Sequence, residues 1–144
     1  MAFTGNFMCT SFKVEILKAV HNFTNSTGNT FNIAMYDNNA SFTAATTAYT
    51  ATDEVTGTAY VAKGNTLVNV TPTSTSTTAF TDFGDSTWST STITARGAMI
   101  FNDTAVGDPS VVILDFGSDK SSSAGDFTIV FPTGDATSAI IRIA

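Results

Sequence analysis

His21 and Cys9 have the widest chemical repertoire in this chain, and each residue type occurs once in 144 residues. Nucleophilic catalysis needs a thiol or hydroxyl beside a base that a third group orients. No spacing typical of such a site joins Cys9 to His21. Helical periodicity over residues 11–21 instead predicts that His21 faces the negative end of a helix. Cys9, just before that helix, is expected to act as a small buried hydrophobe.

The carboxylates offer a second kind of chemistry, because paired acids cleave polymers and loop aspartates bind calcium. Glu15 and Glu54 are the only glutamates. Most aspartates fall in predicted turns, where they bond their own backbone. Those in or beside loops include Asp82, Asp85, Asp115, Asp119 and Asp126. We therefore expect no enzyme, no catalytic residue, no cofactor and no metal, with a structural calcium site as the alternative.

Four residues are candidates for contacts with other subunits. Arg96 lies between two apolar strands and Arg142 interrupts the apolar run 140–143. A charge in such a place needs a partner, which is either an internal aspartate or a neighbouring subunit. Phe3 and Phe7 belong to an N-terminal arm, and arms of this kind can add a strand to a neighbour's sheet. We predict an interface formed by these four residues, and closed symmetric oligomers if each arm reaches the next subunit.

Carbohydrate binding is a further possibility for the aromatic and loop residues. Trp88 and many of the 12 phenylalanines fall at strand positions, where core packing is the default and an exposed sugar platform the alternative. The long loop at 37–52 is rich in Asn, Ala and Thr, a composition that could recognise glycans.

Composition narrows the class of protein. The length fits one domain. Nucleic-acid binding needs a clustered cationic surface, and the formal net charge of −6 with six scattered basic residues argues against it. One cysteine allows no intrachain disulfide. No stretch approaches the roughly 20 apolar residues of a membrane span, and the first residues lack a secretory signal. We expect synthesis in the cytoplasm, with neither membrane nor nucleic acid as partner.

The hydrophobic pattern predicts a mainly β fold, a β-sandwich or jelly-roll-like barrel of eight or nine strands with one short N-terminal helix. Abundant Thr and Ser suit the outer faces of its sheets. A single domain spans 1–144, with an arm at 1–10, a helix at 11–21 that Ser11 caps, and the sandwich at 30–144. Strands are predicted at 30–36, 54–62, 66–72, 78–83, 87–95, 97–101, 111–116, 126–131 and 138–143. Gly64 begins the turn of one hairpin, Pro72 ends a strand, and the polar run 117–125 forms a long turn.

Several segments resemble small structural proteins of tailed bacteriophages, notably aquatic ones. They are residues 30–36 (TFNIAMY), 48–60 with its EVTGTAY end, 94–101 (TARGAMIF) and 115–132. The resemblance covers most of the chain up to residue 132, and none of these segments is a chemical motif.

This resemblance implies a virion component without catalytic residues. It favours a capsid decoration (cement) protein that stabilises the head through contacts with the major capsid protein, as a homo-oligomer. The alternative is a tail, adaptor or fibre component that contacts tail proteins and binds host-surface glycans.

Overall fold

The computed structural model describes residues 3–144, which form eight β-strands and one short helix. In chain order the elements are β1 (Phe7–Met8), α1 (Thr10–Leu17), β2 (Phe31–Tyr36), β3 (Asn65–Thr66), β4 (Asn69–Thr75), β5 (Thr78–Phe83), β6 (Ser86–Asn102), β7 (Ser110–Ile129) and β8 (Ile141–Ile143). The predicted mainly β fold with one N-terminal helix is confirmed. No helix in this range is long and apolar enough to cross a membrane.

The strands form two antiparallel sheets, as in a β-sandwich. The larger sheet has the order β1-β7-β6-β2-β3, and the smaller has the order β4-β5-β8. β2 lies inside the larger sheet, and all six of its residues are buried, because both faces of this strand are covered. Apolar side chains from both sheets and from α1 join in one hydrophobic core.

The polar run 117–125 was predicted as a turn, and this prediction is wrong. The run is the middle of β7, and its residues 120–122 and 125 pair with β6. Hydroxyl pairs join the strands, with 2.8 Å between Thr94 and Ser121 and 2.7 Å between Ser91 and Ser122. These cross-strand bonds outweigh the local turn preference of Ser and Gly. The strands predicted at 87–95 and 97–101 likewise join as β6.

The long β6–β7 ribbon bends because its ladder contains bulges. The largest lies between the pairs Ala95–Lys120 and Gly97–Asp115, where one residue of β6 faces residues 116–119 of β7. Extra residues on one strand bend it and increase its twist. The ribbon therefore curls, and the rings of Phe116 and Phe127 come within 6.4 Å although most of a straight strand would separate them.

The helix is shorter than predicted. It covers Thr10–Leu17 instead of 11–21, and it ends there because Ala19 takes a left-handed backbone (φ 57°). Ser11 does not cap it: Cys9 is the N-cap residue and makes no side-chain capping bond. Leu17, its last residue, is exposed.

Two further predictions in the middle of the chain are wrong. Residues 54–62 are a loop whose only β-pairing with the strands is two isolated bridges, Tyr36–Glu54 and Thr58–Thr92, so the hairpin around Gly64 does not form. Gly64 still makes a turn with φ +66°, and a Cβ there would overlap the Ile33 carbonyl oxygen. Pro72 lies inside β4, at a register shift on an edge strand, where its missing N–H costs no ladder bond.

Candidate protein interface

The N-terminal arm lies on its own chain as the edge strand of the larger sheet. β1 pairs with β7 at Phe7–Ile113 and Met8–Val112. The ladder continues to Cys9, whose N–H donates to the Val111 carbonyl at 3.0 Å. The arm thus adds a strand within the chain, and Phe7 is half-buried there.

Phe3 anchors the start of the arm in a socket formed by Gly97 and Phe42. Its side chain is buried, and its ring meets that of Phe42 edge to face at 5.7 Å. A Cβ at Gly97 would overlap the edge of the Phe3 ring and the Leu114 carbonyl oxygen. Only glycine leaves room for the ring against the β6 backbone, so the socket depends on Gly97.

A clamp centred on Asp115 fixes the residues that follow Phe3. One carboxylate oxygen accepts the Gly5 N–H at 3.1 Å, and the other accepts Gly117 N–H at 2.8 Å and Arg96 Nε–H at 3.2 Å. Asn6 returns a bond, because its Oδ1 accepts the Asp115 N–H at 2.6 Å. The Gly117 N–H and the Arg96 guanidinium hold the pKa of Asp115 below its usual range. Arg96 therefore has an internal partner, the first of the two readings left open for it.

An open groove of about 540 Å³ runs beside the arm. Its walls are mostly apolar and come from β1, from the first half of β7 and from the segment that follows β7. They include Phe7, Met8, Leu114, Phe116, Val130 and Ile140. Phe7 and Asp115 line this groove. Arg96 bonds Asp115, and Phe3 packs against Gly97, the register partner of Asp115. Whether Phe3, Phe7 and Arg96 contact other subunits stays a prediction.

Arg142 does not belong to this group. It lies on β8, an edge strand of the smaller sheet, and is exposed. Its guanidinium donates to the Ala136 carbonyl at 3.2 Å. The interface role of Arg142 stays a prediction.

His21 is enclosed and bonded, so no substrate can reach it. Its side chain is fully buried, with Nε2 2.8 Å from Glu15 and Nδ1 3.1 Å from the Asn102 amide nitrogen. Because the Asn102 oxygen accepts the N–H groups of Thr104 and Ala105, its NH2 must face His21. Nδ1 is then an acceptor and Nε2–H donates to Glu15. Burial raises the pKa of the Cys9 thiol, which disfavours the nucleophilic thiolate.

Glu54 organises a second polar network, which the sequence analysis missed. Its carboxylate accepts Tyr49 O–H at 2.6 Å, Tyr60 O–H at 2.7 Å and Lys63 N–H at 2.7 Å. Burial and the Glu54 charge raise the pKa of Tyr49 to about 12. Lys63 in turn binds Asp103 at 2.7 Å and Asp108 at 2.8 Å, which raises its pKa. The network ties the loop before β3 to the turn between β6 and β7.

The remaining candidates are structural. Trp88 is buried and stacks on Tyr60 at 6.0 Å, so it is a core residue and not an exposed sugar platform. Asp82 is buried, and desolvation raises its pKa, while Asp85 accepts the Phe131 N–H at 2.9 Å. Within residues 3–144, no three His, Cys, Asp or Glu side chains are grouped closely enough to hold a metal ion.

Comparison with known proteins gives no relative. No protein-family model matches the chain, and neither the curated proteins nor the solved structures contain a match.

Proposed function

We propose that this chain is a structural virion protein of a tailed bacteriophage, a decoration protein that stabilises the head by protein–protein contacts. The observation that carries the proposal is the open, mostly apolar groove beside the N-terminal arm. An edge strand beside an apolar groove offers a partner both main-chain pairing and pockets for side chains. The virion role, with the major capsid protein as the partner, rests on the resemblance of segments such as 30–36 and 94–101 to small structural proteins of tailed bacteriophages.

The use of the polar groups supports a binding role over a catalytic one. Glu54, His21, Lys63 and Asp115 each bond inside the chain, where they hold loops and the arm in place. Fixed loops suit a protein whose task is to present one surface. Catalysis instead needs groups that reach a substrate.

The first test is the copy number per purified virion, measured by quantitative mass spectrometry against the major capsid protein. A decoration protein is expected at a number comparable to the capsid subunits, and a few copies per particle would refute this role. Particles lacking the protein should also lose their shell at lower temperature or in chelator. Equal robustness with and without it would contradict the stabilising function.

Two matched variants then test the groove. Val130 is exposed at its border, and Val106 is exposed in the turn between β6 and β7, outside the residues that line it. We expect purified Val130→Asp to bind depleted capsids less well than the unaltered chain, because a carboxylate entering an apolar contact must lose its water. Val106→Asp should bind as the unaltered chain does. Equal binding by both variants would show that the groove is not the contact surface.

A tail, adaptor or fibre protein that binds glycans is the second candidate. One observation favours it: an open depression of about 380 Å³ lies next to the 37–52 loop, and Asp37, Thr56, Thr92 and Thr94 line it. A carboxylate and several hydroxyls are groups that hydrogen-bond sugars. This candidate predicts a low copy number together with host-glycan binding that Asp37→Ala weakens. Absence of glycan binding would contradict it.

A further inference from the structure

The seat of the N-terminal arm comprises the socket at Gly97, the clamp at Asp115 and the edge of β7. We propose that residues 3–8 of one copy occupy the seat of a second copy of this chain, so that copies exchange their arms. The occupant is known because the same segment already fills the seat within one chain. Two copies have identical atoms, and every contact that the arm makes in its own chain is therefore available between chains.

The arm can leave its seat without breaking any other element. β1 is an edge strand, and β7 is its only neighbour in the sheet. Its ladder has two residue pairs, Phe7–Ile113 and Met8–Val112. The seat is selective for this occupant, because the socket accepts a ring only where residue 97 has no side chain and the clamp exchanges bonds with Gly5 and Asn6. Few ladder pairs must therefore break for the arm to leave its seat, and the seat of a second copy recognises the same arm residues.

The protein concentration determines whether an arm occupies the seat of its own chain or the seat of a second copy. A tethered arm sees its own seat at an effective concentration in the millimolar range. Exchange becomes favourable when neighbours are crowded and the arm reaches them, and residues 3–9 span roughly 20 Å when extended at about 3.3 Å per residue. Each copy both donates and accepts an arm, so copies related by rotation close into a ring or a pair. The inference concerns this chain alone and does not require the virion role.

A disulfide trap distinguishes the two arrangements. Met8 and Val112 face each other next to the Cys9–Val111 hydrogen bond, and opposite residues of an antiparallel pair are close enough for a disulfide. The trap is Met8→Cys with Val112→Cys in a Cys9→Ala background. The control is Thr87→Cys with Thr128→Cys in the same background, because these residues pair within one hairpin and their hydroxyls lie 2.9 Å apart. Both proteins are refolded at a series of concentrations, oxidised and run on non-reducing gels.

We expect covalent dimers or larger rings from the Met8/Val112 protein and only monomers from the control. While monomer dominates, the ratio of dimer to monomer should rise about tenfold for each tenfold increase in refolding concentration, by mass action. A Met8/Val112 protein that stays monomeric at every concentration overturns the proposal. Light scattering on the unaltered chain, refolded at the same concentrations, gives a readout that needs no disulfide. If light scattering finds only monomer at every concentration, the proposal is likewise overturned.

Discussion

Asn102 connects four segments, and its removal tests how much the buried polar bonds contribute to stability. Its side chain is fully buried. The amide nitrogen donates to His21 and to Asn29, each at 3.1 Å, and the oxygen accepts the N–H groups of Thr104 at 3.0 Å and Ala105 at 3.2 Å. One amide thus joins the end of β6 to the following turn, to the turn before β2 and to the segment after α1.

We expect Asn102→Ala to lower the free energy of unfolding by about 3 kcal/mol. Each lost hydrogen bond costs about 1 kcal/mol, and a buried group left without a partner costs about 1–3 kcal/mol. The second cost applies to His21 Nδ1, which no water reaches because the ring is enclosed by Phe12, Phe23 and Phe31. The N–H groups of Thr104 and Ala105 lie in an accessible turn and regain bonds to water, so the total stays below the sum of all four bonds.

Asn32 supplies the matched control for this prediction. It is also a buried asparagine of the larger sheet, but its Oδ1 has no hydrogen-bond partner within residues 3–144. Asn32→Ala removes the same atoms and should cost only about 1 kcal/mol, because few bonds are lost. Urea unfolding of both variants and the unaltered chain gives the comparison through midpoints and slopes. Losses that agree within about 0.5 kcal/mol, the scatter expected for independent sites, would refute the reasoning.

Three further predictions follow from single sites. His21 should carry its proton on Nε2 at neutral pH, and ¹⁵N NMR of the ring that finds it on Nδ1 would contradict the Asn102 geometry. Relative to the unaltered chain, Asp82→Asn should be more stable at pH 7 than at about pH 3, because burial raises the folded-state pKa of Asp82 and its charged form costs stability above that pKa. The two pH values are compared because Asn has one acceptor oxygen, whereas both carboxylate oxygens accept backbone N–H groups, and urea unfolding with the same difference at both pH values would contradict this cause. Gly97→Ala should speed hydrogen exchange at Phe7 and Met8, whereas Gly125→Ala, whose Cβ meets nothing closer than 3.7 Å, should not; equal rates would mean that the socket does not hold the arm.

The sequence predicted elements where one local pattern dominates. Alternation marked β2, and an unbroken apolar run marked the buried start of β7. The pattern misled at 117–125, where Ser and Gly have turn preferences but pair with β6 across the ladder. It also misled at 54–62, where Tyr60 looked like a strand residue and instead bonds Glu54 and stacks on Trp88. Bulges and loop networks depend on contacts between distant segments, which no local window contains.

The arm region shows that sequence patterns singled out Arg96 and Phe3 but could not give the contacts that each of them makes. Arg96 was singled out because a charge between apolar strands needs a partner, and Phe3 because an N-terminal arm can add a strand to a neighbour's sheet. The partner of Arg96 is Asp115, and the same carboxylate accepts the N–H of Gly5, which follows Phe3 by two residues. The two requirements are met at one place because β7 is an edge until the arm covers it. The N-terminal arm of the chain thus bonds the carboxylate that pairs with Arg96 and covers the open edge of β7. The groups that hold the arm form a site that the N-terminal arm of a second copy can fill.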